Sequence, residues 1–148
     1  MAANTDPIYS KAGLISAVAV TAANTSSQGG GTVATDIFLA FTADATNGSF
    51  VREVRWSLAE STIATASTAT VGRVFISTIT SGTTTSSDTH LWQEVALASQ
   101  TPSSTAAGVP IVIPMNIMLP AGYTILVTNH AAPAANTHWK AIVIGGKY

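Results

Sequence analysis

His90, His130 and His138 are the only imidazoles in the chain, and no two lie one residue apart with a carboxylate close behind. That pattern is what a compact β-barrel metal site would show, because alternate strand residues face the same way. His130 and His138 would meet only if the last two strands formed a hairpin; otherwise these are loop or interface histidines. The carboxylates are Asp6, Asp36, Asp44, Glu53, Glu60, Asp88 and Glu94. None are spaced as a glycosidase pair, although such pairs are assembled from distant strands. Serine is plentiful, but no G-x-S-x-G elbow offers a nucleophile to a histidine base. Asp36 and Asp44 flank one strand and do not make the oxygen cluster that calcium requires. Trp56, Trp92 and Trp139 could stack on sugar rings. Trp56 and Trp139 fall on strongly apolar faces and read as core, which leaves Trp92 as the exposed candidate. The chemistry points away from an enzyme, and no cofactor or metal is expected.

Composition narrows the partners. Charged residues are 9% of the chain, the net charge is −1, and there is no cysteine. No basic patch is visible, so nucleic acid and anionic membrane are not expected partners. No apolar run approaches the roughly 20 residues of a membrane helix. The start, MAANTDPIYSKAG, lacks the basic and apolar regions of a signal peptide. Disulfides are impossible. A length of 148 residues is one domain's worth, and a chain near that size buries enough surface to need no staple.

The elements that must position these groups are strands. In VPIVIPMNIMLPAGYTILVTNH, Val109 to His130, two apolar runs flank Leu119-Pro120-Ala121-Gly122. Proline suits the second position of a type I turn and glycine the fourth. Beyond the turn, Tyr123, Ile125 and Val127 alternate with Thr124, Leu126 and Thr128, the period of a half-buried strand. Further strands are expected at Leu14 to Ala22, Val33 to Thr42, Phe50 to Ala59, Val71 to Thr80 and Thr137 to Ile144. His90 to Ala98 reads as a strand or a short helix. In the strand from Phe50, residues Phe50, Val54, Trp56 and Leu58 point one way and Val51, Glu53, Arg55 and Ser57 the other; Arg52 breaks the apolar face. Three consecutive glycines forbid a regular element within Asn24 to Thr32. Residues 1–13 read as an N-terminal arm and residues 14–148 as one β-sandwich domain. About eight antiparallel strands in two sheets is the jelly-roll number, so the expected fold is all-β, a jelly-roll-like sandwich with an extended arm.

Phe38, Val51, Phe75, Leu126 and Ile142 fall on faces that would meet water in a lone sandwich. With so few charges, they imply apolar patches covered by another subunit. A ring of like copies would be the natural closed form. Phe38, Phe75 and Leu126 are the expected inter-subunit contacts.

Five segments, TDPIYSKAG, VAVTAANTSSQGGGTV, GSFVREVRW, IVIPMNIMLPAGYTILVT and WKAIVIGGKY, together resemble a family of small tailed-bacteriophage and prophage virion proteins. These are turns and strand faces, without a catalytic motif. The resemblance implies a β-sandwich component of the particle, foremost a capsid decoration or cement protein. Such a protein sits on the outer surface of the capsid, commonly as a homotrimer, and bridges subunits of the major capsid protein. On this reading the arm residues Thr5, Asp6, Pro7, Ile8, Tyr9 and Lys11 would dock on the major capsid protein by adding to a sheet edge. Two other readings are a tail, baseplate or fibre component touching the host surface, and a carbohydrate-binding module using Trp92.

Overall fold

The computed structural model describes residues 12–60, 65–103, 105 and 107–148. The described residues contain ten strands and no helix: β1 Ala12–Val20, β2 Gly31–Thr32, β3 Phe38–Thr42, β4 Ser49–Glu60, β5 Thr70–Ser77, β6 Thr83–Thr84, β7 Thr89–Leu97, β8 Ile111–Leu119, β9 Thr124–Asn129 and β10 Thr137–Lys147. Eight are long enough to build sheets, as expected. β2 and β6 form a separate two-stranded ribbon. One four-stranded sheet runs β1-β10-β4-β8 and the other β3-β9-β5-β7. Every pairing is antiparallel: β1 with β10, β3 with β9, β4 with β8 and β5 with β7. Leaving aside the ribbon, first pairs with last, second with seventh, third with sixth and fourth with fifth. The chain is thus a nested set of pairs wound into a two-layer sandwich.

The core lies between the sheets. Val20, Trp139, Ala141, Val143, Val54, Trp56, Ile113 and Met115 from one sheet meet Ala40, Phe41, Val74, Leu97, Ile125 and Val127 from the other. Trp56 and Trp139 are fully enclosed, in agreement with the apolar faces they occupy in sequence. Gly72 makes room for Trp56 and Leu97. A Cβ there would sit 2.8 Å from Leu97 Cδ1 and 3.1 Å from Trp56 Cζ2.

β8 and β9 are joined by the expected corner, but the corner carries the chain from one sheet to the other and makes no hairpin. The turn is displaced by one residue. Tyr123 N–H donates to Pro120 O at 3.2 Å, and Gly122, third in the turn, has φ 82°. Positive φ at the third position is the type II requirement that glycine meets. His90 to Ala98 resolves as strand. Its Thr89–Leu97 core pairs along the whole of β5.

Two bulges change which side chains face inward. In β3 the register shifts between Leu39 and Phe41, so Ala40 and Phe41 are both buried against the core. Phe38 is therefore on the core side, 7% exposed. In β4 the register against β8 shifts between Val51 and Glu53, leaving Arg52 as the extra residue. Val51 turns into the core and Phe50 away from the position expected of it. A bulge inserts one residue and so inverts the alternation beyond it.

The expected first half of the second strand, Val33 to Ile37, is a turn. Ala34 has φ 68°, and its N–H donates to Ile37 O at 2.9 Å. Residues 24–37 instead form a strap across the outside of the β3-β9-β5-β7 sheet. Asn24 N–H donates to Asn129 O at 2.7 Å, and Thr84 Oγ1 donates to Gly29 O at 2.7 Å. Beneath the strap Ile37, Phe75 and Leu126 make a second, smaller core with Val33 and Leu39 packed on it. At Gly29 (φ 77°) the backbone passes so close that a Cβ would lie 3.2 Å from Phe75 Cδ1.

Candidate interaction surface

The strap settles the fate of the expected inter-subunit residues. Phe75 and Leu126 do lie on the outer face of their sheet, yet both are 0% exposed because the chain's own residues 24–37 cover them. Phe38 is in the main core through the β3 bulge. The assignment of Phe38, Phe75 and Leu126 to contacts between subunits is therefore corrected: a side chain already enclosed by its own chain has no surface to offer. Val51 leaves that set for the same reason, whereas Ile142 stays on an outer face, partly buried. The proposed arm contacts, Thr5, Asp6, Pro7, Ile8, Tyr9 and Lys11, lie outside the described residues.

With one face covered, the outer side of the β1-β10-β4-β8 sheet is the uncovered one. The pairing lays out its rows. Ile15, Ile144, Glu53 and Pro114 form one row across the four strands, and Ala17, Ile142, Arg55 and Val112 the next. Ile15 is 71% exposed, and Met118, toward the end of the sheet, 67%. Leu91 and Trp92 on the edge strand β7, with Val109 and Val112 at β8, complete the large exposed hydrophobics among the described residues. Trp92 is itself the extra residue of a bulge, since Val74 pairs with Gln93 and Phe75 with Leu91. It is exposed, as its mixed sequence context implies.

The charged centre of the uncovered face is a short ion cluster. Arg52 donates to Glu53 Oε2 through Nη2 at 3.1 Å, and Arg55 Nη2 donates to Oε1 at 2.9 Å. Burial works to raise the Glu53 carboxyl, but the bonds and charges of the two guanidiniums outweigh it and hold the group below its ordinary range. Arg55 Nε is enclosed without a hydrogen-bond partner. Sequence alternation placed Glu53, Arg55 and Ser57 together on this side; what it did not show is that two cations share one carboxylate there.

The remaining polar groups hold turns and connections. Asp44 accepts from the N–H groups of Thr46 and Asn47, both at 3.0 Å, and those bonds lower its pKa. Asp88 accepts from Thr85 N–H at 2.8 Å and from the Thr85 and Thr89 hydroxyls, and its pKa is lowered first by the Thr85 backbone bond. Asp36 Oδ1 accepts from Thr32 N–H at 2.6 Å. Arg73, almost wholly buried, ties three segments together. Its Nε donates to Glu94, its Nη1 donates to Asn24 O at 3.2 Å, and its Nη2 lies 3.5 Å from His130 Nδ1. His130 directly follows β9 and His138 lies in β10, strands of opposite sheets, so the last-hairpin meeting does not occur. Among the described residues no group of three or more His, Asp or Glu side chains is placed to hold a metal ion.

No protein-family model, curated protein or solved structure matches this chain.

Proposed function

We propose that this protein is a bacteriophage virion structural protein, a capsid decoration or cement protein that stabilises the head through non-covalent contacts with the major capsid protein. The observation that carries the reading is the uncovered, largely apolar outer face of the β1-β10-β4-β8 sheet. An exposed patch of this kind, with only a small charged cluster in it, suits burial against another protein. The family resemblance of the turn and strand segments supports the same role. So does the nested strand pairing, which we read as a jelly roll with an added two-stranded ribbon. A rigid sandwich presenting contact surface is what a cement protein needs. In this reading the molecule sits on the outer surface of the capsid as a homotrimer, and the arm residues Thr5 to Lys11 dock on the major capsid protein.

The test is reconstitution on shells that lack the protein. Purified full-length chain is mixed with undecorated capsids, and co-sedimentation is measured with capsid stability under heat. Saturable binding that raises the capsid's disruption temperature is the expected result. No binding at micromolar concentration contradicts the reading.

One observation favours a second reading, a tail or fibre component touching host glycans. Trp92 stands exposed on a bulged edge strand between loops rich in threonine and serine, and an exposed indole face stacks well on sugar rings. A glycan array comparing the native chain with Trp92→Ala separates the two. Trp92-dependent glycan binding favours the tail, and its absence leaves the head.

A further inference from the structure

Among the described residues, six buried polar side-chain atoms have no hydrogen-bond partner, and four of them belong to three residues of the interior. They are Trp56 Nε1, Trp139 Nε1, and Asn129 Oδ1 and Nδ2. None of the three residues is more than 1% exposed. Buried polar groups are as a rule hydrogen-bonded, because leaving one unpaired forfeits its hydration without return.

Strand register brings the three together. Asn129 pairs with Gly72, in step with Val127 opposite Val74 on the core side and Thr128 opposite Arg73 on the outer side. Asn129 therefore faces the core. Opposite residues on one face of a sheet stand about 4.5–5.5 Å apart at Cβ. A Cβ at Gly72 would lie 3.1 Å from Trp56 Cζ2, an atom two bonds from the indole nitrogen. The Asn129 amide is thus beside the polar edge of Trp56. On the facing sheet Trp56 is opposite Ala141 and Trp139 opposite Leu58, so the two indoles are diagonal neighbours. Such neighbours are about 7–8 Å apart, within reach of aromatic side chains. The sandwich edge beside the amide is closed by residues 22–24. Ala22 packs on the core, Ala23 bridges Asn129, and Asn24 N–H donates to Asn129 O at 2.7 Å.

The chemistry of these atoms selects the ligand. An indole N–H and an amide NH2 only donate, so Asn129 Oδ1 is the one acceptor in the group. Neither indole bonds to it directly. Turning the amide over exchanges its oxygen and nitrogen and leaves the tally unchanged. An ion has no counter-charge here. Glu53 and Arg73, the buried charged residues among the described ones, lie on the outer sides of their sheets. The group calls for a small neutral molecule that accepts twice and donates once. We infer that one water molecule is bound inside the sandwich among Trp56, Trp139 and Asn129, accepting from both indole N–H groups and donating to Asn129 Oδ1. It satisfies three of the four atoms, and about three hydrogen bonds is what a buried water makes. The inference concerns the interior of one protomer and does not depend on the capsid reading.

The test uses the full-length chain labelled with nitrogen-15, and the probe is water itself. Nuclear Overhauser transfer from water is expected at the indole Hε1 protons of both Trp56 and Trp139. Its absence at either indole overturns the inference. Oxygen-17 relaxation dispersion then compares the native chain with Asn129→Leu. It reads long-lived water molecules and is blind to exchanging hydroxyl protons. The variant removes the acceptor and fills its place with an apolar side chain, so the dispersion amplitude is expected to fall by one water molecule's worth. Equal amplitudes in the two folded proteins overturn the inference. The transfer measurement is made on the native chain, so it decides the matter if Asn129→Leu fails to fold.

Discussion

Phe75→Ala separates a residue that holds the protomer together from one that holds protomers to each other. Phe75 is fully buried, and its ring is enclosed by Ile37, Leu126 and the strap backbone at Gly29. Truncating a buried phenylalanine costs about 3–5 kcal/mol, transfer and cavity together. With a urea m-value of about 2 kcal/mol/M, a loss of ~4 kcal/mol moves the unfolding midpoint by roughly 2 M. For a chain of this size it lowers Tm by about 6–20 °C, at roughly 2–4 °C per kcal/mol. The assay is urea unfolding followed by tryptophan fluorescence at two protein concentrations. The comparison is Ile15→Ala, an exposed site, where protomer stability should change by no more than about 0.5 kcal/mol. Phe75→Ala should destabilise equally at both concentrations. A change below about 1 kcal/mol, accompanied by weaker association, would refute the argument that the strap seals this face. So would exposure confined to residues 24–37 with the global midpoint unmoved.

Gly145→Ala should be more damaging than Gly72→Ala. A Cβ at Gly145 meets Phe50 O at 2.2 Å, and backbone cannot yield as the Leu97 and Trp56 side chains beside Gly72 can; about 1–3 kcal/mol is expected for Gly72→Ala and more for Gly145→Ala, read by calorimetry. Arg73→Met should cost roughly 1–3 kcal/mol by leaving the Asn24 carbonyl without its bond. Hydrogen exchange should show the loosening in residues 24–31 first. Stability should fall on acidification. Asp44, Glu53 and Asp88 all have folded pKa values below their ordinary values of 3.8, 4.5 and 3.8. Their contribution is thus fully present above those values and is lost as pH drops through the lower folded ones. A Tm that stays level from pH 5 to pH 2 would contradict this.

Much of the fold was legible because alternation reports burial wherever a strand is regular. A corner after Leu119, off by one residue from Pro120–Tyr123 where it closes, the inward Trp56 and Trp139, and the outward Glu53 and Arg55 follow from pattern alone. The failures fall where one residue is added. Ala40 and Arg52 each sit at a bulge, and neither residue type announces one, so strict alternation assigns Phe38, Val51 and Phe50 to the opposite faces from those they occupy. For Phe75 and Leu126 alternation gives the correct outer face but not their burial, because what covers them is a strap distant in sequence. The glycine run points to a loop over residues 24–32, which holds except that Gly31 and Thr32 pair with β6 as the strand β2; that the segment lies over Phe75 depends on long-range contacts through Thr84 and Arg73. The candidate surface was half visible. The charges alternate in sequence, but the exposure of Ile15 and Met118 depends on which strands became edges.

The most direct test is the mass of the native full-length chain in solution across micromolar concentrations, beside an Ile15→Lys variant. If the uncovered sheet face is a contact surface, the native protein runs at the mass of three chains and Ile15→Lys at the mass of one. A native protein that stays at the mass of one chain throughout, indistinguishable from the variant, contradicts the account.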